Sequence, residues 1–187
     1  MTFIATTIPD VKLKTPLVHK DQRGFFYEAF RAHDFKQQCG SYTFKQLNRS
    51  SSVKGVLRGL HFQHLAAQGK LLSVLVGTIV DVVVDLRPTS ATFGQVLTLT
   101  LDATQHQQLW IPPGFAHGFF VLSDTAFIEY QCTEYFDPND QYVIRWDDPS
   151  LAINWSLDKT DPVVSPKDEK GMSWQCFLDK FVDKTIV

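Results

Sequence analysis

The sequence predicts an all-β protein, an antiparallel sandwich or barrel of jelly-roll type with a few short helices at its margins. Three observations carry this expectation. Short runs rich in β-branched and aromatic residues recur along most of the chain. Clusters of Asn, Asp, Gly and Pro, such as RPTSATFG and FDPNDQ, separate those runs at regular spacing. Helical periodicity is confined to two places.

The first of these is Arg31 to Cys39, a short helix that Gly40 would close. KLLSVLVGTIVDVVVDLR (70–87) reads as a hairpin of two β-branched runs around Gly77-Thr78, with glycine first as a type II′ turn wants. That register would set Val76 opposite Ile79, Val74 opposite Asp81 and Lys70 opposite Asp85. Lys70, Val74, Asp81 and Asp85 would then share one face. Further strands are expected at Gln95–Leu101, Phe119–Leu122, Ala126–Thr133 and Tyr142–Trp146. Near the end, Trp174, Phe177, Leu178, Phe181 and Val182 repeat at helical spacing and predict an amphipathic helix. No repeat, low-complexity tract or linker divides the chain, so residues 1–187 are expected to form a single domain.

Composition narrows the function classes. Hydrophobic residues make up 44% and charged residues 20% of the 187 positions, the balance of an ordinary globular protein. A net charge of −2 gives no general attraction to nucleic acid or to an anionic membrane. MTFIATTIPDVKLK lacks the form of a signal peptide. The longest apolar run, Val74 to Val84, is broken by Gly77, Thr78 and Asp81, which argues against a membrane helix. Cys39, Cys132 and Cys176 are odd in number and form no CxxC pair. They point to a reducing, cytoplasmic setting without a disulfide framework or a thiolate zinc site.

Four features could carry chemistry: Arg58 and His61 in VLRGLHFQ (56–63), Lys70, His117 in WIPPGFAHGFF, and Tyr130 in FIEYQ. A polar group on an inner strand needs a partner or a purpose. Arg58 and His61, three apart, should point to opposite faces of a strand unless Gly59 marks a bulge. Each feature also has an ordinary reading: a bonded core histidine, a Lys70–Asp85 cross-strand ion pair, a packed tyrosine, a tight Pro-Pro-Gly turn. A metal on His61, His64 and His117 is the sharpest rival. Against it, HFQH puts its two histidines on opposite strand faces, and no glutamate follows at a suitable distance. The remaining reading is proton transfer at carbon. A histidine would act as base, a lysine would steady the enolate oxygen, a tyrosine would return a proton to the other face, and an arginine would clamp phosphate or carbonyl oxygen. GxSxG, GxxxxGK[ST] and GxGxxG are all absent.

DQRGFFYE (21–28), FKQLNRS (44–50), VLRGLHFQ, AQGKLLSVLVGTIVDVVVDLR (67–87), TFGQ (92–95), QLWIPPGFAHGF (108–119) and SPKD (165–168) closely resemble the dTDP-4-dehydrorhamnose 3,5-epimerases. That family is the sugar-nucleotide epimerase branch of the cupins. The resemblance implies a cupin jelly-roll barrel and a homodimer that needs neither metal nor cofactor. Its substrate would be a dTDP-4-keto-6-deoxyhexose. His61 falls on the family's base, Asp168 on the carboxylate paired with it, Tyr130 on the acid and Lys70 on the lysine near the C4 oxygen. Arg58, His117 and Lys167 fall on substrate-contacting or supporting positions, with Asp81 a partner for His117. Arg23, Phe26, Glu28, Gln46 and Asn48 match nucleotide-contacting positions, part of which reach in from the neighbouring subunit. The chain departs from the family pattern at Leu47 and Arg49, where an acidic residue and a histidine are usual, and at Glu129, where an apolar residue is usual. Their neighbourhood suggests an effect on the base, the sugar or the number of centres inverted. Neighbouring readings are a 3,4-ketoisomerase, a metal-dependent cupin oxygenase and a sugar-nucleotide-binding module without activity.

Overall fold

The computed structural model describes residues 2–157 and 161–182. In chain order the strands are β1 (Phe3–Ala5), β2 (Lys12–Lys14), β3 (His19–Asp21), β4 (Gly24–Phe26), β5 (Gln46–Val53), β6 (Leu57–Gln63), β7 (Lys70–Val76), β8 (Thr78–Asp85), β9 (Val96–Asp102), β10 (Gln108–Ile111), β11 (Phe115–Val121), β12 (Thr125–Cys132) and β13 (Gln141–Val143). Helix α1 (Ala32–Cys39) lies between β4 and β5, and α2 (Pro166–Glu169) and α3 (Trp174–Phe181) follow β13. Two sheets face each other as a jelly roll. One has the order β1-β2-β10-β7-β12-β5 and the other β13-β6-β11-β8-β9; β3 and β4 form a separate arm. All strand pairs are antiparallel.

Alternation along the strands builds three apolar layers. Leu72, Val74, Val83, Leu109, Phe119 and Ile128 meet between the sheets. Leu57, Leu60, Phe62, Val82 and Phe120 point outward from the five-stranded sheet and are covered by Phe177 of α3. Ser173 caps α3 by accepting from the Cys176 N–H at 3.1 Å, which starts the helix where the apolar periodicity begins. On the far side, Phe35 of α1 packs edge-on against Trp110, with ring centroids 4.9 Å apart. Both helices therefore sit at the margins, as their lone apolar faces require.

The expected 70–87 hairpin is not there. β7 pairs with β10 and β12, whereas β8 pairs with β11 and β9, so the chain changes sheets at Gly77. Gly77 has φ 83°, and a Cβ there would lie 2.1 Å from the Thr125 carbonyl oxygen. Burial on both faces of β8, by the inner core and by the layer under α3, explains the error. An apolar run without alternation marks a doubly covered strand as readily as a hairpin arm. Lys70, Val74, Asp81 and Asp85 consequently belong to opposite sheets rather than to one hairpin face. Asp85 accepts from Arg87, Ser90 and Thr92, not from Lys70.

The bulge at Gly59 does exist. On β11, His117 stands opposite His61 and Phe119 opposite Arg58, so Gly59 and Leu60 together face the single residue Gly118. Leu57, Leu60 and Phe62 can then all point to the outer core while Arg58 and His61 both turn inward. The backbones approach closely here. A Cβ on Gly59, at φ 134°, would lie 2.5 Å from the Gly118 Cα. Gly59→Ala is expected to cost about 3 kcal/mol and to lower the melting temperature by on the order of 10 °C. A calorimetric scan matching the parent protein would contradict this account of the bulge.

Candidate active site

The barrel mouth opens on a cavity of about 290 Å³ whose two walls come from the two sheets. Gln46 and Asn48 on β5, Lys70 on β7 and Tyr130 on β12 form one wall. Arg58 and His61 on β6 and His117 on β11 form the other. Gln46 and Asn48 are spaced by two, and Arg58 and His61 by three across the bulge, so the alternation that builds the core also delivers these polar groups. Arg58 spans the mouth, with its Nε donating to the Ser52 hydroxyl of the opposite sheet at 3.1 Å.

His61 does not stand alone. Its Nε2 lies 2.7 Å from Asp168 Oδ1, and the other carboxylate oxygen accepts the Gly59 N–H at 3.2 Å. A carboxylate can only accept, so Nε2 carries the proton and Nδ1 keeps the ring's lone pair. Burial draws the His61 pKa below that of an ordinary histidine, and the charge and hydrogen bond of Asp168 offset only part of this. Asp168 is itself only 3% exposed. Burial would raise its pKa, but the hydrogen bonds and charge of His61, with the bonds from Gly59 and Ser165, leave it below the usual carboxylate value. The pair is thus a neutral imidazole held by an ionised carboxylate.

Asp168 is carried by the one-turn helix α2. Ser165 caps it by accepting from the Asp168 N–H at 3.2 Å, and Pro166 stands at its first position. Parallel bridges Val56–Val163 and Ile144–Met172 pin the chain on either side. A serine, a proline and an acidic residue at these offsets are a helix-start signature that could have located α2 from the residues themselves.

Elsewhere in the cavity, His117 Nε2 lies 2.8 Å from Asp81 Oδ2. The remaining Asp81 oxygen is buried and has no hydrogen-bond partner among the described residues. Burial lowers the Lys70 pKa, while Cys132 and Asp81 oppose that shift. Burial, and then Cys132, push the Tyr130 phenol up, against a smaller opposite effect of Arg58. Tyr130 therefore remains a proton donor at neutral pH. The cavity also takes in Gln68, Phe136 and Gln141, which pattern reading had not singled out because they sit at the loop-bounded rim.

Other expected site residues lie apart. Arg23 pairs with Asp21 and Glu28 with Arg31, both away from the cavity, and Phe26 is 73% exposed on β4. Lys167 bonds Gln141 at the rim. His64 packs at a tilt against Phe181, ring centroids 4.8 Å apart, outside the cavity that holds His61 and His117. Among the described residues, no three His, Cys, Asp or Glu side chains are grouped to hold a metal. Leu47 and Arg49 alternate outward on β5, and Arg49 Nε pairs with Glu129 Oε2 across the strands at 2.8 Å. The departures at 49 and 129 thus complement each other on the outer face, away from the cavity of their own chain.

The family model described as dTDP-4-dehydrorhamnose 3,5-epimerase matches residues 5–175. The chain belongs to this family. A dTDP-4-dehydrorhamnose 3,5-epimerase of Neisseria gonorrhoeae is 51% identical over 174 residues, covering 93% of this chain and 53% of that one. The chain thus spans about half the length of that relative. The Pseudomonas aeruginosa enzyme of the same name is 46% identical over 174 residues, covering 91% of this chain and 96% of its own. Among solved structures, dTDP-6-deoxy-D-glucose-3,5-epimerase from Legionella pneumophila, in complex with dTDP-4-keto-L-rhamnose, superposes with a TM-score of 0.90. It is 43% identical, and the match covers 100% of this chain and 96% of that one. The family's cupin jelly roll is the fold observed here.

Proposed function

We propose that this chain epimerises a dTDP-4-keto-6-deoxyhexose at C3, C5 or both, with His61 as base and Tyr130 as acid. Family membership makes it an isomerase of the epimerase class acting on a dTDP-linked sugar. One observation carries the mechanism: His61, held by Asp168, and Tyr130 stand on opposite walls of one cavity, on different sheets. Inversion needs a proton removed from one face of a carbon and another delivered to the opposite face. The His61 Nδ1 lone pair takes the proton next to the C4 ketone, and the C–H electrons move into the carbonyl to form an enolate. The Lys70 ammonium steadies the enolate oxygen, with His117 beside it. The Tyr130 hydroxyl then protonates the carbon from the other side. Solvent returns a proton to the phenolate and removes the one on His61. Arg58, Gln46, Asn48 and Lys167 hold the nucleotide and phosphate side.

The same reading makes the chain a cytoplasmic homodimer. Arg23, Phe26 and Glu28 lie off their own cavity on or beside the β3–β4 arm, whose Phe25 and Phe26 are both exposed. An arm of that chemistry suits the nucleotide end of a neighbouring copy's cavity. Its three free cysteines suit a reducing compartment, and no described helix is long and apolar enough to cross a membrane.

Incubation in D₂O with dTDP-4-keto-6-deoxyglucose, followed by NMR at C3 and C5, tests the proposal. Deuterium at one or both carbons with inversion is the expected result. A carbonyl moved to the adjacent carbon would instead identify a ketoisomerase, and binding of dTDP without any exchange would identify a binding module.

A further inference from the structure

Beneath the cavity wall lies a buried group for which the proposed mechanism has no use. Cys132 follows Tyr130 by two on β12, so both face inward, and its register partners are Lys70 on β7 and Gln46 on β5. It is fully buried. A directed chain of hydrogen bonds ends on its sulfur. The Phe136 N–H donates to Gln46 Oε1 at 2.8 Å, Gln46 Nε2 donates to Asn48 Oδ1 at 2.8 Å, and Asn48 Nδ2 donates to Cys132 Sγ at 3.7 Å. The first link leaves the Gln46 amide one orientation, which fixes Asn48 in turn, so every donor points towards the sulfur. Burial keeps the thiol protonated against the opposing influence of Lys70 and Asn48. The sulfur is therefore a neutral, polarisable neighbour of the lysine.

We propose that Cys132 is a positioning residue for Lys70, its sulfur held by the Gln46–Asn48 relay so that the lysine ammonium is presented to the substrate's C4 oxygen. The relay starts at Phe136 on the cavity rim, so it also ties the rim loop to that lysine. The proposal rests on the role given to Lys70 above. The other titratable groups that face Lys70 are Asp81 and His61 from the opposite sheet, and Tyr130 shares the wall with it. None of these changes when position 132 does.

Two substitutions separate positioning from packing. Cys132→Val fills the volume but offers no lone pair, whereas Cys132→Ser keeps a lone pair in a smaller side chain. Positioning predicts that Cys132→Val loses about five- to tenfold in kcat with little change in KM. It also predicts that the basic limb of the pH–rate profile moves to lower pH, because the ammonium has lost a stabilising neighbour. Cys132→Ser should keep kcat within about threefold and leave that limb in place. A packing role reverses the order, with Val tolerated and Ser destabilised and impaired. That order, or a shifted limb in the Ser variant, would overturn the proposal, and the Ser profile decides even if the Val variant does not fold. A Lys70→Ala variant exchanging deuterium at the parent rate would instead remove the underlying role of Lys70.

Discussion

His61→Ala is expected to abolish deuterium exchange into the keto sugar, with a loss of at least about 10³-fold in kcat, while dTDP alone still binds. The carboxylate bond on Nε2 leaves the Nδ1 of this imidazole free, on the wall facing Tyr130. Asp168→Asn gives the complementary result. It keeps the ring, but with the amide oxygen accepting the Gly59 N–H the amide NH2 faces Nε2 and imposes the wrong tautomer, for a fall in kcat of about 10² to 10⁴. The sign of its pH effect follows from the causes of the His61 shift. Burial lowers that pKa and Asp168 raises it, so removing the carboxylate lowers it further. The base must be neutral to act, and activity is lost as pH falls through its pKa. The acidic limb of the pH–rate profile should therefore move to lower pH in Asp168→Asn, even as the plateau falls. A limb that moves upward would refute this account of the pair.

Tyr130→Phe should separate two events that the parent enzyme couples. His61 remains able to remove a proton, to exchange it with solvent and to return deuterium to the same face. Deuterium should thus enter the substrate with its configuration retained, while the inverted product forms at least about 100-fold more slowly. NMR of the residual substrate reads the first event, and reduction of the keto group followed by separation of the epimers reads the second. Inversion at the parent rate would show that the acid is another group or a water. The buried, raised phenol is the reason to expect otherwise, since it holds its proton at neutral pH on the wall opposite His61.

The residue pattern by itself determined the class of fold, the marginal helices and most of the polar groups of the cavity. These follow from local rules. Alternation and turn chemistry set strands, apolar periodicity set α3, and a polar residue on an inner strand signals a purpose. Even the bulge was legible, because Arg58 and His61 can share one face only if Gly59 breaks the alternation. Which strands pair was a different matter. Gly77 looked like a hairpin turn, but the ladder groups of β7 and β8 found partners in different sheets, and nothing within 70–87 encodes those distant strands. Asp168 was reachable only through family resemblance, since its burial depends on α2 being pinned at both ends by bridges to residues far away in sequence. The same holds for Arg49 and Glu129, which look like changes in the site until their register shows them paired on the outer face. Local propensity is written residue by residue, whereas pairing and burial belong to the whole chain at once, and only the tertiary structure could decide them.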